Sequence, residues 1–375
     1  METEIRNQNA ESGNSQTQMN AAPQPLSPEE NPAYQEFLKE NIAKGKKTYN
    51  YVMMMFVVLT VVTNGIQLLA QLILGEKFGE QEWFTWALIV VPLYVIGFPM
   101  LALLLKKVPV MNLEKHSMKF WQFLLIVLMG CGICGVGSVL GIFVSLPILL
   151  PFGKDINDAN ALSEIMSNSS PIMRILVVGI LAPIFEELIF RKLLIDHVVK
   201  YGEWIAVFLS GLMFGMFHGN FQQFFFATGL GMLFAYIYVR TGQVWYTILF
   251  HMVVNLSSSA ITLGILEMVD LDKMMQMSEE MQKSPETFDI MKYQDILPGF
   301  AIYMLWIGVL CICCVAGIII LIVNLCMKKF YFRSIIGEFP KKIRAKAAML
   351  NPGFLLYTAL IIGMFVLYYV SVVSS

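Results

Sequence analysis

Three apolar stretches of the sequence carry ionisable or amide side chains: PIFEELIFRK, GLMFGMFHGN and LFHMVVNLSS. Because a charge within a membrane segment is costly, such residues are candidates for function. A carboxylate and an imidazole can activate water, and an imidazole with an amide can donate hydrogen bonds to an oxyanion. The side chains that could do this chemistry are Glu186, His218, His251 and Asn255.

The first stretch contains two adjacent carboxylates with different prospects. Glu187 and Arg191 are four residues apart, in the order that favours an ion pair on a helix. Glu186 lacks that partner and points about 100° away around the helix, so it is the better candidate for a general base. In the alternative reading, both acids only pair with basic residues or face the inner interface.

The histidines divide into two groups. His251 and Asn255 are four residues apart, so they share a helix face. A single histidine in an apolar helix is more often a packing residue, but two beside a buried carboxylate favour a site. His116 and His197 fall in predicted inner loops beside Lys or Asp, where we expect an interfacial role.

The predicted helices place the candidates at similar depths. At 1.5 Å of rise per residue, Glu186 lies roughly 21 Å from the inner end, if its helix continues to about Lys200. His218 and Asn255 lie roughly 22 Å and 20 Å from the inner ends of their own predicted helices. The side from which water enters stays undecided. Glycines spaced by four should also hold His218 against the fourth span; they are Gly211, Gly215 and Gly219.

The elements that position these residues must lie in a membrane. Of 375 residues, 57% are apolar and 14% charged, which argues against soluble domains. The net charge of −1 argues against a nucleic-acid partner. The six cysteines lie in or beside apolar runs and are predicted to pack there, and the Cys131/Cys134 pair is a weak metal or redox signal.

The sequence predicts an all-α, polytopic bundle of about nine transmembrane spans with a disordered N-terminal tail. No cleaved signal peptide is evident. With a cytoplasmic N-terminus, 20 of the 26 Lys and Arg residues fall on the inner side, as the positive-inside rule requires for a multi-pass protein of the cell membrane. The predicted divisions are a polar cytoplasmic tail (1–48), N-terminal spans (49–165), a catalytic helical core (166–265), an acidic outer loop that is only a solvated connection (266–297) and C-terminal spans (298–375).

The three stretches together resemble the CAAX-protease and bacteriocin-processing family of intramembrane endopeptidases. EELIFR at 186–191 fits EExxxR, FGMFH at 214–218 fits FxxxH, and HMVVN at 251–255 fits HxxxN. Each motif is weak alone, but the three occur in order on successive predicted spans. The resemblance covers roughly residues 170–260.

The resemblance implies a role for each matching residue. Glu186 with His218 would polarise a water for attack on a peptide carbonyl, and His251 with Asn255 would stabilise the oxyanion. The residues that would support them are Glu187, Arg191 and Phe214. No cofactor is favoured. The alternative is zinc held by Glu186, His218 and His251, although the Asn255 amide suits an oxyanion donor better than a metal ligand.

The resemblance also limits the partners. It implies a peptide or protein substrate in or at the lipid bilayer, either a prenylated protein or a bacteriocin precursor, and the sequence does not choose between them. Two other classes of function stay open: a non-catalytic immunity or scaffold protein with the same fold, and a proton-coupled transporter. Matching inverted halves, which are typical of many transporters, are not evident.

Overall fold

The structure, a computed structural model, describes residues 31–156, 158 and 165–374, and all regular secondary structure in these residues is helical. This confirms the all-α prediction. The principal helices are α1 (Pro32–Phe78), α2 (Glu82–Leu105), α3 (Phe120–Phe152), α4 (171–201), α5 (Glu203–Phe217), α6 (Phe221–Thr241), α7 (Val244–Leu266), α8 (Leu271–Lys283), α9 (Leu297–Cys326), α10 (Lys341–Met349) and α11 (Pro352–Ser374).

Within the described residues, seven helices are long and apolar enough to cross a membrane, so the chain is a multi-pass membrane protein as predicted. They are α1, α2, α3, α6, α7, α9 and α11. The other two of the nine predicted spans correspond to α4, which carries charged residues, and α5. With 15 residues, α5 rises only about 22 Å, short of the roughly 30 Å apolar layer. Seven of the about nine predicted spans thus have the length and composition of full spans among the described residues, and α5 is a shorter apolar helix.

Helices α5 and α6 form a hairpin at the centre of the bundle. Helix α5 ends at His218, Gly219 turns the chain with a φ of +73°, and Asn220 caps α6 by accepting a hydrogen bond from the Gln223 backbone N–H. Glycine suits this turn because it adopts a left-handed conformation without steric cost. The tip of the hairpin therefore lies inside the bundle, while the opposite ends of α5 and α6 are joined by the Glu203–Arg240 ion pair.

Glycines determine how closely the neighbouring helices approach this hairpin. A methyl group on Gly215 would collide with Thr228, and one on Gly211 would collide with Met232, both on α6. Gly219 has no neighbour within 4 Å of such a methyl group. The predicted glycine stripe thus packs α5 against α6, which corrects the expectation that it faces α4. The spacing of the glycines predicts a small-residue face on α5 but does not identify the helix that packs against it.

Two predicted connections contain more structure than expected. Helix α1 begins at Pro32, capped by Asn31, so the tail predicted for 1–48 is helical from Pro32; residues 1–30 lie outside the described part. The loop predicted for 266–297 contains α8, which Asp270 caps by accepting from the Lys273 backbone N–H. The Lys273 ammonium pairs with Asp295, and this hydrogen bond raises the pKa of Lys273. The loop is therefore more than a solvated connection.

Candidate active site

Helix α4 presents the two carboxylates from a short α-helical segment, Ala182–Glu187. Wider π-helical turns lie on both sides of it, at Arg174–Leu181 and Leu188–Ile195. Such turns are uncommon and often occur at functional sites. Glu187 is fully buried, whereas Glu186 lies on the wall of a cavity. The adjacent carboxylates therefore have different surroundings, as predicted.

Glu187 forms the predicted ion pair with Arg191. Glu187 Oε2 lies 2.9 Å from Arg191 Nε, and both side chains have no exposed surface. The Arg191 guanidinium also lies over two aromatic rings, 4.9 Å from the Phe214 centroid and 5.4 Å from that of Phe234. The ring faces attract the Arg191 cation and add to the ion pair with Glu187. Phe214 thus contacts Arg191, and its supporting role in the site stays a prediction.

His251 links the two carboxylates. Its Nδ1 hydrogen-bonds Glu187 Oε1 at 3.2 Å, and its Nε2 lies 3.9 Å from Glu186 Oε2. Because a carboxylate accepts, Nδ1 carries the proton in this contact. Edge contacts to Phe214, at a centroid distance of 5.6 Å, restrict the ring further. Glu187 therefore orients His251 with Nε2 towards Glu186.

His218 lies at the C-terminal end of α5. Its Nδ1 is 2.8 Å from the Phe214 carbonyl oxygen, which can only accept. In the neutral ring, Nε2 is then the basic nitrogen, and His218 lines the same cavity as Glu186. A backbone hydrogen bond within the FxxxH motif therefore selects the tautomer that suits proton transfer.

Asn255 lies one turn after His251 on α7 and also lines the cavity. Its Nδ2 donates to the Val178 carbonyl oxygen of α4 at 2.9 Å. A primary amide has two N–H donors, so this bond holds the group while leaving one N–H for another acceptor. The hydrogen bond also ties α7 to α4 close to Glu186.

The four candidate residues share one cavity of about 750 Å³. Its wall is otherwise largely apolar and includes Trp86 and Tyr94 of α2. Tyr94 stacks on Phe185 with ring centroids 4.7 Å apart, next to Glu186. The sequence analysis did not include Tyr94, because an aromatic residue in an apolar run carries no signal that separates a cavity wall from a lipid-facing surface.

The cavity extends beyond the motif-bearing helices. Ile156 and Met166, from the connection between α3 and α4, form part of its wall. The depth predicted for Glu186 requires its helix to continue to about Lys200. Helix α4 continues to Tyr201, so this requirement is met. The site is therefore set within the bundle, with a wall reaching the end where α3 connects to α4.

The geometry was tested for the zinc alternative. Among the residues that the structure describes, no three His, Cys, Asp or Glu side chains converge closely enough to hold a metal ion. Glu186 and His251 approach each other, with Nε2 3.9 Å from Oε2, but His218 does not join them in a metal-binding group among the described residues. The donor set of Glu186, His218 and His251 thus does not fit a zinc site in this arrangement.

Comparison with known proteins agrees with the motifs. A family model described as "Type II CAAX prenyl endopeptidase Rce1-like" matches residues 168–257. A Bacillus subtilis (strain 168) protein named "Putative membrane peptidase YdiL" is 31% identical over 104 residues, which cover 28% of this chain and 42% of that protein. No solved structure matches the chain. The matched segment contains EExxxR, FxxxH and HxxxN, so residues 168–257 are similar to the CAAX-protease and bacteriocin-processing family, and the matched segment spans less than half the length of the Bacillus relative.

Proposed function

We propose that this protein is an intramembrane endopeptidase that hydrolyses a peptide bond with water activated by Glu186 and His218. The observation that carries the proposal is the shared cavity, in which a carboxylate and an imidazole lie near a second imidazole and an amide. The first pair suits activation of water, and the second suits an oxyanion. The family match supports peptidase chemistry for this site.

The proposed reaction conserves atoms without a cofactor. Glu186 takes a proton from water as the oxygen attacks the carbonyl carbon, while Nε2 of His218 accepts a hydrogen bond from the same water. His251 Nε2 and the second Asn255 N–H suit the two sides of an oxyanion hole. In the His251 tautomer described above, Nε2 has no hydrogen, so it donates to the oxyanion after the ring binds a second proton from solvent before the attack, and it keeps that proton through the reaction. Collapse of the tetrahedral intermediate breaks the C–N bond, and Glu186 returns its proton to the leaving amine.

The proposed substrate is a peptide or protein segment in or at the membrane. The largely apolar wall of the cavity favours an apolar chain around the scissile bond. The prenylated protein and the bacteriocin precursor implied by the resemblance remain separate candidates. Quenched fluorescent peptides of each type, offered to the purified protein in detergent, distinguish them by the one that is cleaved.

The main test is Glu186→Gln, which keeps the shape of the side chain but cannot accept the proton. We expect cleavage to fall by about 10²–10⁴-fold, the usual contribution of a general base. Glu76→Gln, at an exposed site near the end of α1, is the matched control and should retain full activity. Normal cleavage by Glu186→Gln protein would show that Glu186 is not the base. Full activity after exhaustive chelation would support the metal-free reaction, and zinc-dependent recovery would contradict it.

We also propose that the N-terminus is cytoplasmic, supported by the distribution of Lys and Arg. A cysteine introduced at Ser15 should then resist a membrane-impermeant thiol reagent in intact cells, whereas one introduced at Ser284 should react. Background is measured with the parent chain, whose six cysteines lie in or beside apolar runs. Reaction at Ser15 alone would reverse the assignment.

A further inference from the structure

The hairpin tip that carries His218 contacts α11, which lies outside the segment 168–257 that matches the family model. The Phe221 backbone N–H donates to the Tyr369 hydroxyl of α11 at 3.3 Å. The first N–H groups of a helix have no partner within the helix, so this donor needs one from elsewhere. Tyr369 therefore satisfies α6 at its first residue, three positions after His218.

The Tyr369 hydroxyl is itself held in place. It lies 2.8 Å from the Ser145 hydroxyl of α3, and both side chains are buried. Since Tyr369 accepts from Phe221, its own hydrogen can be donated to Ser145. One phenol thus connects α11, α3 and the hairpin tip.

Aromatic packing reinforces the connection. The Phe221 ring lies against Phe365 and Tyr369, with centroid distances of 4.9 Å and 5.5 Å. These two residues are four apart on α11, so they lie on one face of the helix and pack against Phe221. From the other side, a methyl group on Gly141 of α3 would come within 2.8 Å of the Phe221 carbonyl oxygen. The tip has little space in which to move.

We propose that Tyr369 is a positioning residue that fixes the hairpin tip so that His218 faces Glu186. The inference rests on the proposed function, but its structural part can be measured without activity. It gives the last span a role in the reaction that its sequence, which has no Asp, Glu, His, Lys or Arg, does not reveal. Misplacement of a catalytic group reduces the rate more than substrate binding.

The test compares two tyrosines of the same helix. Tyr369→Phe keeps the ring and removes the hydroxyl that holds Phe221. Tyr357→Phe is the matched control, because the Tyr357 hydroxyl is buried without a hydrogen-bond partner among the described residues. We expect Tyr369→Phe to lower kcat about tenfold, the scale of one hydrogen bond, with KM little changed. Tyr357→Phe should retain the parental kcat.

Hydrogen–deuterium exchange separates this proposal from the proposed function. In Tyr369→Phe protein, the peptide containing the Phe221 amide should exchange faster than in the parent and in Tyr357→Phe protein. Unchanged exchange, or an equal loss of kcat in both variants, would overturn the positioning role. If the parent cleaves no peptide but the exchange result holds, Tyr369 fixes the tip and the proteolytic proposal alone fails.

Discussion

Helices α4 and α9 both contribute to a membrane protein, but their surroundings differ. Helix α9 carries no charged residue and its most apolar part is largely exposed, with a mean hydropathy of 3.0. Helix α4 carries Glu187 and Arg191 with no exposed surface. Helix α9 is therefore expected to face mainly lipid, whereas the charged side chains of α4 are surrounded by protein. Removing a polar group should therefore matter most in α4, and substitutions that keep α9 apolar should matter only where it contacts another helix.

The largest stability effect should come from breaking the α4 ion pair. Arg191→Met leaves Glu187 buried without its counter-charge, so we expect the free energy of unfolding to fall by about 3–5 kcal/mol. Thermal unfolding in detergent measures it. The double variant Glu187→Gln/Arg191→Met removes both charges and should recover much of the loss. A single variant as stable as the parent would mean that water reaches this pair.

The next effect should be on catalysis. Asn255→Ala removes a proposed oxyanion donor and the bond to Val178, so we expect kcat to fall by about 10²–10³-fold. Ser257→Ala is the control on the same helix, because Ser257 does not line the cavity and its hydroxyl donates to the Val253 carbonyl oxygen. The measurement is kcat for peptide cleavage by the two purified variants. Equal kcat values would exclude Asn255 as an oxyanion donor.

Two glycines of α9 sharpen the comparison. A methyl group on Gly317 would overlap the Leu128 carbonyl of α3, whereas Gly308 has nothing within 4 Å of that position. We expect Gly317→Ala to destabilise the protein by about 1–3 kcal/mol. Gly308→Ala should not destabilise it, because its methyl group would face open space. Melting temperatures of the two variants, measured side by side, test this, and a reversed order would contradict the packing of α9 on α3.

The smallest effect should come from the loop that contains α8. Lys273→Ala removes an exposed ion pair with Asp295, and such pairs contribute little because water and salt screen them. We expect the melting temperature to stay at the parental value. A clear drop would show that this loop is coupled to the helical core.

Much of the fold and part of the site follow from the sequence. The EExxxR spacing specifies the Glu187–Arg191 pair, because four residues span one helical turn. The end of α5 was harder to predict, since residues 203–241 are apolar on both sides of it. The sequence His218-Gly219-Asn220 did carry a signal, as glycine permits the left-handed turn and asparagine caps the next helix.

The remaining part of the site depends on contacts between distant segments. Tyr94 and Tyr369 occur in apolar runs, where nothing distinguishes an aromatic side chain that faces a cavity from one that faces lipid. Likewise, the spacing of Gly211 and Gly215 specifies a small-residue face but not which helix covers it. Motif residues could be found because their polarity is costly in a membrane, whereas their supports are apolar or uncharged.

The short length of α5 affects how a substrate could be presented. A full span would place its last carbonyl groups at the lipid headgroups, but α5 stops about 8 Å short of the opposite boundary. The depth that the missing turns would fill adjoins the cavity that His218 lines. A peptide that uncoils there can pair its freed backbone groups with polar side chains of the cavity, whereas in hydrocarbon the same groups would have no partner.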